Sequence, residues 1–135
     1  MRILIDTNNC EVIDITLRVA KSCGINCFLL CDSSCYFERE GATTIVISEN
    51  EGNIGFKYKN ILQSGDIVIT QSHSLAKICL EHGAIPVIQD GIIYNDSYNV
   101  NVLLEQQDNQ NFKRIGKQDA EFGSRLAVII SLNSE

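Results

Sequence analysis

The sequence predicts an α/β fold with a mostly parallel sheet of about five strands and helices on both faces. Three observations carry that expectation. Short apolar runs alternate with segments of helical period. The apolar runs are continuous rather than alternating in polarity, as in strands covered on both sides. Glycines stand at the ends of several helical segments. The chain has 135 residues, 44% of them hydrophobic and 21% charged, which fits one domain over 1–135 with a real core and argues against disorder.

The first strand is expected over Arg2 to Ile5. Asp6, Thr7, Asn8 and Asn9 follow as turn residues able to cap a helix from about Cys10 to Ser22. That helix presents Val12, Ile15 and Val19 on one face, widened by Ile13, Leu17 and Ala20, and Gly24 stands where a C-terminal cap belongs. Ile25 to Cys31 and the β-branched run Thr43 to Ile47 read as the next two strands. Ile54, Tyr58, Ile61 and Leu62 give the second helix its face, ended by Ser64 and Gly65 before the strand Asp66 to Thr70. A third helix, capped by Ser72 or Ser74, buries Leu75, Ile78, Cys79 and His82 and closes at Gly83 before the fifth strand, Ala84 to Ile88. Residues 91–135 read as a helical extension packed on the sheet. It holds a short segment Ile92 to Tyr94, a small helix around Val100 to Gln106, and a last helix burying Phe122, Leu126, Ile129 and Ile130.

Charge and cysteine usage narrow the function. With 11 basic and 17 acidic residues the net charge is -6, which disfavours a partner held mainly through phosphate contacts. Lys57, Lys59, Lys113, Arg114 and Lys117 are the candidates for any nucleic-acid contact, although scattered bases usually mark a solvated surface. No apolar run approaches the ~18 residues of a membrane span and no export signal is visible, so a cytoplasmic protein without membrane contact is expected. The six cysteines then read as reduced thiols rather than a disulfide framework. Cys23, Cys27, Cys31 and Cys35 recur every fourth residue, but the spacing crosses a helix end, a strand and a loop, which does not make a zinc site.

In an open parallel sheet the ligand crevice lies beyond the carboxyl ends of the strands. The residues there are Asp6, Thr7 and Asn8; Asp32 and Ser33; Ser48 and Glu49; Thr70, Gln71, Ser72 and His73; and Gln89 and Asp90. The set is rich in hydroxyls and amides and thin in carboxylates. Converging carboxylates would hold Mg²⁺ or Mn²⁺ and activate a water, with Asp6 the leading ligand and catalytic candidate and Asp32 and Asp90 as supplements. The alternative role for Asp6 is a cap or turn contact. No glycine-rich phosphate loop follows the first strand, which disfavours the dinucleotide and P-loop routes. His73 falls in the crevice but also reads as a surface residue of a first helical turn, and His82 reads as structural. Cys10 at a helix start has no identifiable base and reads as a packed small residue.

The order of several blocks resembles the YaiI/YqxD family of bacterial proteins, related to PIN-like domains. The blocks are Ile3-Leu4-Ile5-Asp6 with Cys10, Gly65-Asp66-Ile67-Val68-Ile69-Thr70-Gln71, Leu75-Ala76, Leu80-Glu81 and Gly83-Ala84. Gly91-Ile92-Ile93-Tyr94, Leu103-Leu104, Lys113-Arg114-Ile115-Gly116 and Arg125 continue it over essentially the whole chain. The resemblance implies a three-layer PIN-like domain whose crevice, in active PIN relatives, gathers acids around Mg²⁺ or Mn²⁺ to cut RNA. This chain departs from the family pattern at three places. The second acid of the opening motif is Asn8, the acid after the fourth strand is Ser72, and aspartates after the third strand give way to Gly52 and Gly55. The expectation is a nuclease-related fold with a depleted metal site. It would bind a phosphate, nucleotide or protein partner through Thr7, Asn8, Thr70, Gln71, Ser72 and His73. The alternative is an active Mg²⁺- or Mn²⁺-dependent nuclease for RNA, using Asp6 with Asp32, Glu49, Glu51 or Asp90 in compensation.

Overall fold

A computed structural model describes residues 1–8, 10–32, 36, 38–47, 58, 60–94 and 116–133. Five strands form one parallel sheet: β1 (Arg2–Asp6), β2 (Asn26–Asp32), β3 (Ala42–Ile47), β4 (Ile67–Ile69) and β5 (Ile85–Val87). Their spatial order is β3-β2-β1-β4-β5. The chain therefore lays strands outward on one side of β1, returns, and continues on the other side from β4. The carboxyl ends of β1 and β4 flank the point where the winding reverses, which is where open α/β sheets place their ligands.

The described helices are α1 (Ile13–Cys23), α2 (His73–Glu81) and α3 (Gly116–Asn133). Strand alternation assigns the two faces of the sheet. Ile3, Ile5, Cys27, Leu29, Ile67, Ile69 and Val87 pack with Val12, Ile13 and Ala20 around α1 and with Phe122, Leu126, Ile129 and Ile130 of α3. Leu4, Leu30 and Val68 point the other way, against Tyr58, Leu62 and the α2 residues Leu75, Ile78 and Cys79. The result is three layers, with the central strands buried on both sides as their unbroken apolar sequence requires.

The expected strands are all present, their ends shifted by at most one residue. The last helix buries the four side chains its spacing singles out. Gly24 takes a left-handed φ of 68° after α1, and its N–H returns to the carbonyls of Ala20 and Lys21. One expectation is corrected. α1 starts at Ile13, not near Cys10, and its N-cap is Val12 with no side-chain hydrogen bond, so Asp6 to Asn9 do not cap it. The reason is that Asp6 is the last residue of β1 and its carboxylate is committed elsewhere. The helices expected around Ile54 and over Val100 to Gln106 lie outside the described residues, apart from Tyr58, Ile61 and Leu62. Cys23, Cys27, Cys31 and Cys79 are free thiols, and Cys35 lies outside the described residues. Among the described residues no helix is long and apolar enough to cross a membrane.

Candidate functional site

Parallel pairing in register brings β1 and β4 together as Ile3↔Ile67, Leu4↔Val68 and Ile5↔Ile69. One step further, Asp6 and Thr70 meet on the same face. The Thr70 hydroxyl, 1% exposed, donates to Asp6 Oδ2 at 2.9 Å. The backbone N–H of Asn8 donates to the other carboxylate oxygen, Oδ1, at 3.2 Å. Both donors are neutral. Burial pushes the Asp6 carboxyl above its ordinary range, opposed by the bonds from Thr70 and then Asn8.

The same hydrogen-bond chain runs on into α2. Thr70 Oγ1 accepts the N–H of Ser72 at 2.9 Å, and Ser72 Oγ accepts the N–H of Leu75 at 3.2 Å, making Ser72 the N-cap. Thr7 turns the other way, its hydroxyl donating to the Leu30 carbonyl at 3.0 Å, so it fastens the end of β1 to β2. Gln71 is half-buried, and both polar atoms of its side chain are shielded from solvent and lack a hydrogen-bond partner. His73 is half-buried rather than a surface residue. Its Nδ1 lies 2.7 Å from the hydroxyl of Tyr94, a side chain with no exposure, and the two rings meet edge to face with centroids 5.4 Å apart. His82 has the structural role expected of it, with Nδ1 2.9 Å from the Ile78 carbonyl.

Asp6, Thr70, Ser72 and the helix start of His73 are thus joined in one continuous arrangement. Asp32 is the last residue of β2 and, by alternation from Leu30, shares the face of Asp6. Asp90 sits in the turn after β5, where its backbone carbonyl accepts Arg125 Nη1 at 2.6 Å. Ser33, Ser48, Glu49, Glu51, Gly52 and Gly55 lie outside the described residues, as do Lys57, Lys59, Lys113 and Arg114 and the side chain of Lys117. Among the described residues no three His, Cys, Asp or Glu side chains converge on a point able to hold a metal ion. The described donors therefore do not make up the carboxylate set of a two-cation centre, which needs several converging acids.

Two aromatic residues escaped the sequence reading of the site. Tyr94 was legible only as part of a short apolar segment, and its partner His73 is 21 residues away. Tyr58 was legible as helix core, and it does pack there, yet its phenol is raised well above the ordinary range by burial and then by the charges of Asp6, Cys79 and Asp32. Cys79 behaves alike, pushed up to about 12 by burial first and by Asp6 second, which makes it an inert core thiol.

Residues 4–125 match the model of the uncharacterised bacterial YaiI/YqxD family. A UPF0178 protein of Exiguobacterium sibiricum is 35% identical over 117 residues, covering 86% of this chain and 79% of that protein. A UPF0178 protein of Ruminiclostridium cellulolyticum is 34% identical over 146 aligned residues, covering 100% of this chain and 95% of its own length. One from Clostridium acetobutylicum is 27% identical, covering 93% of this chain and 84% of that protein. No solved structure matches the chain.

Proposed function

Because the chain belongs to the YaiI/YqxD family and, among the described residues, bonds its crevice carboxylate Asp6 internally, we propose that this crevice binds a phosphate or nucleotide on a PIN-like scaffold without cutting RNA. The observation that carries the reading is the partnering of Asp6. Its oxygens accept from Thr70 and Asn8. Positions that would bear acids in the family pattern hold Asn8 and Ser72, which serve here as a backbone donor and a helix cap. A carboxyl whose pKa is raised by burial is more readily kept in its neutral form, and a neutral acid donates a hydrogen bond to an anion instead of repelling it. Amide and hydroxyl groups at strand ends suit the same ligand.

The test is titration of the full chain with adenosine monophosphate and with inorganic phosphate, followed by calorimetry, beside incubation of single-stranded RNA with Mn²⁺. Binding without cleavage is expected, retained in Asp6→Asn, whose amide still donates, and lost in Asp6→Ala. Cleavage that requires Mn²⁺ and disappears in Asp6→Asn would replace this reading with the second one, a Mg²⁺- or Mn²⁺-dependent nuclease. The placement of Asp32 on the same sheet face one strand away favours that second reading, since a hard cation is commonly held by one or two carboxylates together with substrate phosphates. In it Asp6 and Asp32, with Asp90 as a further acid, would hold the ion.

A further inference from the structure

The unpartnered amide of Gln71 is the least explained polar group in the described part of the molecule. Buried donors and acceptors are almost always paired, and each one left unpaired weighs against the folded state. Here both Nε2 and Oε1 are shielded and unpaired, in the residue between Thr70, which holds Asp6, and Ser72, which caps α2. Ser72 has extended backbone angles, φ -87° and ψ 118°. An extended residue sends its two neighbours to the same side of the chain, so Gln71 and His73 share the side that Ser72 faces away from. On the Gln71 side, the His73 imidazole is fixed by the buried Tyr94 hydroxyl at 2.7 Å, and no bond to its Nε2 is present among the described residues.

We infer that Gln71 and His73 form a base-reading pair that gives the crevice specificity for an adenine nucleotide. An amide offers adjacent donor and acceptor atoms, the complement of the adenine N7 and N6 edge. A fixed aromatic ring beside it offers a surface on which a base stacks. Hydroxyls and backbone N–H groups alone would hold a phosphate without reading a base, so the orphaned amide is what separates a nucleotide site from a phosphate site. The inference rests on the binding reading proposed above and narrows its ligand to one class.

Calorimetric titration of the full chain with adenosine monophosphate, guanosine monophosphate and ribose 5-phosphate tests it. The adenine nucleotide is expected to bind about tenfold more tightly than either of the others. Gln71→Leu is expected to lose that about tenfold advantage, binding adenosine monophosphate no better than ribose 5-phosphate, and to unfold at a higher urea concentration because an unpaired buried amide has been removed. His73→Ala is expected to weaken the adenine nucleotide more than ribose 5-phosphate. Equal binding of all three probes, or a Gln71→Leu protein that binds adenosine monophosphate like the parent, would overturn the base-reading pair while leaving the crevice itself a phosphate site. No binding of any probe would overturn both.

Discussion

The two ends of the β1–β4 strand pair carry the same kind of group and treat it in opposite ways. At the amino end Asp66, 2% exposed, receives a bidentate guanidinium from Arg2, with Nε to Oδ1 at 3.0 Å and Nη2 to Oδ2 at 2.6 Å. The Gln63 N–H adds a third bond at 2.9 Å. At the carboxyl end the described partners of Asp6 are the Thr70 hydroxyl and the Asn8 N–H. Both pairs span 64 residues and lie on the same sheet face, so neither register nor distance in sequence explains the contrast. The difference teaches where charge is neutralised for the sake of the fold and where it is left to respond to something else. Charged groups buried with full partners fasten strands, whereas a carboxyl raised by burial and held by neutral donors is the kind found at ligand sites.

Breaking the amino end should have the largest effect. Arg2→Ala strips Asp66 of its countercharge, removes the bond to the Ile61 carbonyl at 2.8 Å, and uncovers the Phe28 ring over which the guanidinium lies. Loss of one partner of a buried pair costs about 3 to 5 kcal/mol. Arg2 itself is 24% exposed, which favours the lower figure, about 3 kcal/mol, in urea unfolding at pH 7. Adenosine monophosphate affinity per folded molecule should be unchanged, because the crevice lies at the opposite end of the strands. A large loss of affinity in the folded variant would remove the division of labour between the two ends.

Thr70→Val tests the other end with an isosteric change. It removes the donor to Asp6 and the acceptor for Ser72 N–H, leaving a buried N–H unpaired, and should cost about 1 to 2 kcal/mol. Because the hydroxyl bond opposes the rise of the Asp6 pKa, its loss should also carry that pKa further up, measurable by carboxyl-carbon NMR titration. Ser72→Ala should cost about 1 kcal/mol through the lost cap on α2 and leave the Asp6 titration unchanged.

The fold was open to sequence reading because it rests on apolar patterning, and the five strands and three of the helices that patterning marks are present among the described residues. The last helix shows this best: Phe122, Leu126, Ile129 and Ile130 are buried as their spacing requires. The start of α1 was misplaced because Asp6 to Asn8 have the composition of a cap. Only a tertiary bond to Thr70, invisible in local sequence, shows that Asp6 links the ends of β1 and β4 instead. The crevice residues followed from one rule about strand ends, but their partners did not. Nothing near His73 announces Tyr94, and nothing near Asp66 announces Arg2, since those pairings exist only after the strands are ordered. The distinction between the two strand ends was likewise hidden, because an aspartate reads alike whether or not a guanidinium will meet it.

The smallest effect should come from Asp6→Asn, and its sign is the sharpest point of the comparison. A carboxyl whose folded pKa is raised stabilises the folded state fully below its unfolded pKa of about 3.9, and that contribution disappears as the pH rises through the raised folded value. Asparagine does not titrate, so the stability of the variant relative to the parent should climb across the same window and level off above it. At pH 7 Asp6→Asn should equal or exceed the parent, by on the order of 0.5 kcal/mol, and keep nucleotide binding through its amide donor. The amino end would answer differently, since Asp66→Asn weakens an ion pair and leaves Arg2 without its partner. Urea unfolding at pH 3.5 and pH 7 measures the difference. A variant destabilised more at pH 7 than at pH 3.5 would mean that the Asp6 charge fastens the fold as Asp66 does, and the carboxyl end would then lose its claim to be the ligand site.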